Sequence, residues 1–222
     1  MVQPNPVFPA ARPRTRARNP LVAIERLLFR RNNYQRTRVR GTNERWELIR
    51  SRSAGAKSLL DVGCNAGVLT ELAAHAGLTA VGVEANPKIL SVAYRRCKPG
   101  LALSYVHCVV TPDNVATLPV CDVVLCLSVY HQWHVAFGHD DAQRILETLG
   151  SKARRALFFE SASQRRKYGS APPNFIDRDQ NSIVQYNLEM LGKLFGRSNV
   201  EFVKATPASR GERFRCLFAV QR

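Results

Sequence analysis

Apolar and polar positions in this chain switch repeatedly between a short-run pattern and a helical one, most clearly over Ser58 to Glu84. Leu59 and Leu60 form an apolar run that ends on Asp61. A turn rich in small residues follows (Gly63, Cys64, Asn65, Ala66, Gly67), and then Leu69, Leu72, Ala73 and Ala76 fall at helical spacing. Gly77 stops that helix, and a second apolar run, Ala80 to Val83, ends on Glu84. The pattern predicts strand, turn, helix and strand, a unit that holds a nucleotide-like cofactor at its first turn.

The same reading extends in both directions. Asn19-Pro20 reads as a cap followed by proline in the first helical turn. Leu21, Ile24, Leu27 and Leu28 then share a face, and Arg30 and Arg31 sit near the C-terminal end. Asn43 to Arg50, with Trp46 and Ile49, predicts the helix that leads into the first strand, and Gly55 marks the turn before it. Asn86-Pro87 opens another helix to about Cys97, and Pro99-Gly100 ends it. Strands are expected at Leu101 to Val110, Asp122 to Leu127 and Ala156 to Phe159, the last ending on Glu160. Asp140-Asp141 start a helix with the face Ile145, Leu146, Leu149, and Ile183 to Phe195 forms one stopped by Gly196. Residues 161–181, polar and basic, read as a long loop and a candidate lid. Val200 to Val203 and Phe214 to Val220 close the chain as strands. Strands alternating with helices mean an α/β sheet that is mostly parallel.

Composition narrows the class. At 222 residues, 45% of them hydrophobic, the chain suits one domain with an added arm. Residues 1–20 are expected to be a disordered basic tail, 21–54 a helical arm and 55–222 the α/β domain. The tail holds five prolines and the alternating arginines Arg12, Arg14, Arg16 and Arg18. The apolar stretch Leu118 to Val129 is broken by Asp122 and is too short for a bilayer. Leu21 to Phe29 carries Glu25 and Arg26, unlike a secretory signal. Six cysteines without a C-x-x-C pair suit a reducing compartment, so the expected location is cytoplasmic, with organellar import as the alternative. Residues 1–40 contain ten arginines and one glutamate, so +9 of the net +16 lies there. That arm offers a surface to RNA or another polyanion. An arginine-rich background composition is the competing explanation.

The first turn carries the most specific chemistry. Gly63 and Gly67 permit a sharp backbone turn, Asn65 tolerates a left-handed conformation, and the following helix points its amides into the turn. A carboxylate such as Glu84 at the tip of the second strand can accept both hydroxyls of a ribose. A dinucleotide turn would place a third glycine where Val68 stands, and it is not usually preceded by an acid such as Asp61. D-x-G-x-x-x-G from Asp61 instead resembles the S-adenosylmethionine turn of the class I methyltransferases. The resemblance covers residues 55–222 and implies a Rossmann-like, seven-stranded, mostly parallel sheet with helices on both faces, finished by a reversed strand at Phe214 to Val220. It implies S-adenosyl-L-methionine as cofactor, with Asp61 near its methionine end and Glu84 at its ribose. Gly63, Cys64, Asn65, Gly67 and Ser128 complete the cofactor set. A polar residue after the third strand should meet the adenine, with Thr111, Asp113 and Asn114 as candidates.

The fourth strand runs into LSVYHQWHVAFG, Leu127 to Gly138, a turn that in this fold faces the transferred methyl group. Tyr130, His131 and His134 are the candidate catalytic residues, since imidazole can take a proton from a hydroxyl or amine near neutrality. A packing role for each is the alternative, because Trp133 and Val135 lie among them. Asn33-Tyr34, GCNAGVLT at Gly63 to Thr70, LSV with His134 and Gly138, and Glu160 with Tyr168 are also similar to the RNA 5′-phosphate-capping methyltransferases. That similarity would give Arg36, Arg38 and Arg40 a phosphate to hold. The chain departs from that group in its arm, in Glu84 where aspartate is usual, and in His131 where a basic residue is usual. The expected activity is methyl transfer to an oxygen or nitrogen nucleophile, on RNA or another phosphate-bearing substrate. A small-molecule acceptor, a non-catalytic nucleic-acid-binding protein of the same fold, and a dehydrogenase stand as alternatives.

Overall fold

The computed structural model of the chain describes residues 39–207 and 214–222. The expected tail, the helix after Pro20 and the Asn33-Tyr34 pair lie outside the described residues, as do the side chains of Arg36, Arg38 and Arg40. The order is α1 (Val39–Ser51), β1 (Ser58–Val62), α2 (Val68–His75), β2 (Thr79–Glu84), α3 (Pro87–Arg96), β3 (Leu103–His107), β4 (Cys121–Leu127), α4 (Tyr130–Phe137), α5 (His139–Lys152), β5 (Ala153–Glu160), α6 (Gln180–Phe195), β6 (Val200–Pro207) and β7 (Phe214–Gln221).

The seven strands form one sheet in the order β3-β2-β1-β4-β5-β7-β6. β1 pairs in parallel with both β2 and β4, and β4 does so with β5. β7 alone runs against its neighbours, placing Leu217 opposite Glu160 and Arg215 opposite Thr206. The reversed last strand is thus where the resemblance put it. Strand order reverses direction at the β1–β4 junction, and the crevice at the carboxyl ends of such strands is where α/β sheets take ligands.

Alternate residues of the strands feed two cores. Leu60, Val62, Val124, Cys126, Leu157 and Phe159 pack with Ile145 and Leu149 of α5 and Leu191 of α6. Leu59, Val123, Leu125 and Phe158 pack with Trp46 and Ile49 of α1 and Ala73 of α2. Helices therefore cover both faces, which is why the strands read as continuous apolar runs rather than alternating ones. Burying a Leu- or Phe-sized side chain in such a core is worth about 2 kcal/mol.

The local signals behaved unequally. Asn86 caps α3, its Oδ1 accepting from the amides of Lys88 and Ile89 at 3.0 and 3.3 Å, as Asn-Pro predicted. β3 is shorter than the apolar run suggested, because only Leu103–His107 pairs with β2. The largest difference is that the residues after Ser128 are not a turn. Tyr130–Phe137 is helical, with Tyr130, Trp133 and His134 buried. Those three and Phe137 stand at i, i+3, i+4 and i+7, the helical period that an emphasis on their chemistry obscured. The loop 161–181 is irregular but packed: Arg165–Tyr168 makes a short 3-10 turn, and Tyr168 and Phe175 are buried in the core. No helix among the described residues is long and apolar enough to cross a membrane.

Candidate active site

The site is built at the carboxyl ends of β1, β2 and β4. After β1 the backbone amides of Gly63 and Cys64 both donate to the Val83 carbonyl, at 2.8 and 3.0 Å, which folds the turn over the end of β2. Gly63, Asn65 and Gly67 all have left-handed backbones, with φ of 74°, 55° and 74°. Gly67 begins α2 with no side-chain cap. The helix therefore offers its first amides to the crevice instead of to a serine or aspartate.

The two glycines are required by the protein's own packing. A Cβ on Gly63 would collide with Val129, and one on Gly67 would collide with the Tyr105 hydroxyl. Tyr105 reaches from β3 beneath the turn and donates to the Gly67 carbonyl at 3.2 Å. Ligand access was thus an incomplete account of these positions. Gly67→Ala is expected to destabilise the fold by about 2–4 kcal/mol, from positive φ together with overpacking, measured by urea unfolding.

Both acids are buried, Asp61 3% and Glu84 4% exposed. Asp61 Oδ2 accepts the Thr70 hydroxyl at 2.7 Å. Burial raises the Asp61 pKa to about 6, opposed by the Thr70 bond and aided by the nearby Glu84 charge. Glu84 is also shifted upward by burial, against the backbone bonds that it accepts. Those bonds fix its orientation: Oε2 takes the Asn65 amide at 2.9 Å and Oε1 the Asn86 amide at 2.8 Å. Each oxygen keeps a second lone pair, enough for one further hydroxyl each. Cys64 is buried, with its thiol near the Asn65 carbonyl at 3.7 Å, and burial raises its pKa, so the thiol stays protonated.

Across the crevice, Ser128 follows β4 with φ of 65°. Its Oγ donates to Glu160 Oε1 at 2.5 Å, and Arg45 Nη1 lies 3.2 Å from both Glu160 oxygens. Arg45, on α1, is a neighbour of Ser128 and Glu160 that sequence reasoning missed. Its signal was an arginine four residues before Ile49 on the apolar face of a predicted helix.

The three candidate catalytic residues lie together on α4. His134 Nδ1 is 3.0 Å from the Tyr168 carbonyl, and its ring meets Tyr168 edge-on at 5.4 Å. A carbonyl can only accept, so Nδ1 carries the proton and Nε2 the lone pair. Burial lowers the His134 pKa, which keeps the ring neutral at pH 7. His131 is buried beside Tyr168 at 6.0 Å. Tyr130 is fully buried against Phe159 and Tyr168, and burial raises its pKa. Of the adenine candidates, Asn114 closes the turn after β3, its Oδ1 accepting from the Thr111 amide at 2.8 Å and its amide group donating to the Val109 carbonyl at 2.9 Å. Asp113 is exposed.

Residues 60–151 match the family model described as a methyltransferase domain. A mitochondrial ubiquinone biosynthesis O-methyltransferase of Schizosaccharomyces pombe is 31% identical over 116 residues, 50% of this chain and 41% of that protein. The chain thus spans about two fifths of the length of that curated relative. Among solved structures, magnesium protoporphyrin IX methyltransferase of Synechocystis PCC 6803, with bound S-adenosylmethionine, superposes with a TM-score of 0.56 at 17% identity over 90% of both chains. The bifunctional kinase-methyltransferase WbdD gives 0.63 at 21% identity, over 80% of this chain and 39% of its own. These structures share the fold. Asp61, the glycine turn, Glu84 and the segment Ser128 to His134 all fall inside the matched residues 60–151.

Proposed function

We propose that the chain is an S-adenosylmethionine-dependent methyltransferase that transfers the methyl group to an oxygen or nitrogen nucleophile. The observation that carries this reading is the pair of buried carboxylates, Asp61 and Glu84, at the tips of adjacent strands around a turn of left-handed residues. The S-adenosylmethionine bound in the Synechocystis neighbour and the methyltransferase-domain match support the same cofactor. Glu84, held by two backbone amides, uses its remaining lone pairs for the ribose hydroxyls. Asp61 faces the cationic methionine end. Gly63, Cys64, Asn65 and Gly67 supply backbone, and Ser128 closes the opposite wall. When bound, the cofactor supplies a sulfonium-activated methyl group.

Alignment of nucleophile and methyl group does most of the catalytic work in such a transfer. His134, neutral and with its lone pair on Nε2, is the better placed of the three candidates to accept the acceptor's proton. His131 is the second choice. Tyr130, deep in the aromatic cluster, holds the position of α4 and keeps its proton. The O-methyltransferase relative favours an oxygen acceptor.

Incubation with S-adenosylmethionine labelled in its methyl group, against RNA, protein and metabolite fractions separately, tests the activity and the acceptor class together. Label in the metabolite fraction alone supports a small-molecule acceptor. Label in RNA, lost on deletion of residues 1–38, supports the arginine arm as a nucleic-acid surface. No label in any fraction, with the cofactor bound, revives the non-catalytic reading.

A further inference from the structure

Ser128 differs from the other left-handed positions of the crevice in being neither glycine nor asparagine. Such a residue in that region costs about 1 kcal/mol unless its surroundings hold it there. Two bonds to a single residue of the neighbouring strand hold it. The Ser128 amide donates to the Glu160 carbonyl at 2.8 Å, and its hydroxyl donates to Glu160 Oε1 at 2.5 Å.

The Glu160 carboxylate is held in turn. It is fully buried, with Arg45 Nη1 at 3.2 Å from each oxygen and Arg215 Nη1 at 3.6 Å. The Arg45 guanidinium is oriented by the first turn of its own helix. Its Nε donates to the Gly41 carbonyl at 3.1 Å and its Nη2 to Thr42 Oγ1 at 3.3 Å. A buried ion pair is weak evidence for stability, because desolvation offsets most of its attraction. Defined geometry is what remains, and here it runs from α1 through Glu160 to the corner between β4 and α4.

We propose that Arg45 is a positioning residue for the cofactor face: by orienting the Glu160 carboxylate it holds Ser128 in its left-handed turn. The seating of α1 and the shape of the β4–α4 corner are then one device, and α1 belongs to the site without touching the cofactor. The inference rests on the methyltransferase reading.

Glycine adopts the left-handed conformation without strain, so Ser128→Gly removes the need for the device. That makes a double-mutant cycle decisive. The probe is S-adenosylhomocysteine, titrated calorimetrically into the full chain at about pH 8, where Asp61 stays ionised whatever Arg45 contributes to its charge. Arg45→Met is expected to weaken binding about fivefold, the strain of one left-handed residue expressed as affinity. Arg45→Lys, whose ammonium lacks the guanidinium fork, loses less. In the Ser128→Gly background, Arg45→Met should cost less than about twofold.

An equal loss in both backgrounds, or wild-type affinity in Arg45→Met, overturns the proposal. Thermal unfolding run beside each titration identifies a variant that has lost its fold. If Arg45→Met does so, Arg45→Lys makes the same comparison in both backgrounds. A wild-type chain that fails to bind the probe overturns the cofactor reading itself, and the inference with it.

Discussion

Asp61→Asn is expected to produce a more stable protein that no longer holds its cofactor well. Folding raises the Asp61 pKa from its ordinary 3.8 to about 6, chiefly through burial. Between those two values the folded chain keeps a proton that the unfolded chain has released. This group's contribution to stability is therefore greatest on the acid side and is lost as pH rises through about 6. At neutral pH the folded chain bears the full cost of an ionised buried carboxylate, about 3 kcal/mol. Asparagine removes the charge and keeps an oxygen for the Thr70 hydroxyl, so most of that cost should be recovered as a higher unfolding midpoint. Cofactor affinity moves the other way. The methionine end carries an ammonium and a sulfonium, and both favour an ionised Asp61. Affinity should rise with pH through about 6 and level off above it. In Asp61→Asn it should be low and flat across that range. Urea unfolding at pH 5 and 8, with a titration at each, checks both signs.

Glu84→Gln is expected to be nearly as damaging as Glu84→Ala, although glutamine has the same shape. Both Glu84 oxygens accept from backbone amides, those of Asn65 and Asn86. An amide side chain must turn its NH2 group toward one of those N–H donors, leaving two donors face to face and one end of the turn released. It also loses a charge-assisted acceptor for ribose, each such bond being worth about 1.5–3 kcal/mol. Cofactor affinity should fall by about a hundredfold. The unfolding midpoint should fall too, unlike that of Asp61→Asn. Burial shifts both acids upward, so the opposite stability effects come from their partners: two backbone amides at Glu84 that an amide group cannot both satisfy, against one hydroxyl at Asp61 that it can.

The sheet and its cofactor crevice were legible because they depend on local signals. Apolar runs ended by Asp61 and Glu84, glycine punctuation and the Asn86-Pro87 cap each act over a few residues, and nothing distant overrode them. The reversed strand came from resemblance, since periodicity alone gives no direction. What was missed depends on long-range contact. Arg45 and Glu160 are 115 positions apart, and the spacing of neither residue suggests the other. Tyr105 beneath Gly67 is likewise a tertiary fact that gives a glycine a second reason to be there. The α4 helix was missed for a different cause. Its histidines and tyrosine invited a chemical reading, and the helical period in the same residues went uncounted.

The central claim is that the turn between Asp61 and Glu84 holds S-adenosylmethionine. Calorimetric titration of the wild-type chain with S-adenosylmethionine, beside a titration with a nicotinamide dinucleotide, tests it most directly. The account predicts saturable one-site binding of S-adenosylmethionine, about a hundredfold weaker in Glu84→Gln, and no dinucleotide binding. Dinucleotide binding without S-adenosylmethionine binding, or S-adenosylmethionine binding unchanged in Glu84→Gln, would contradict it.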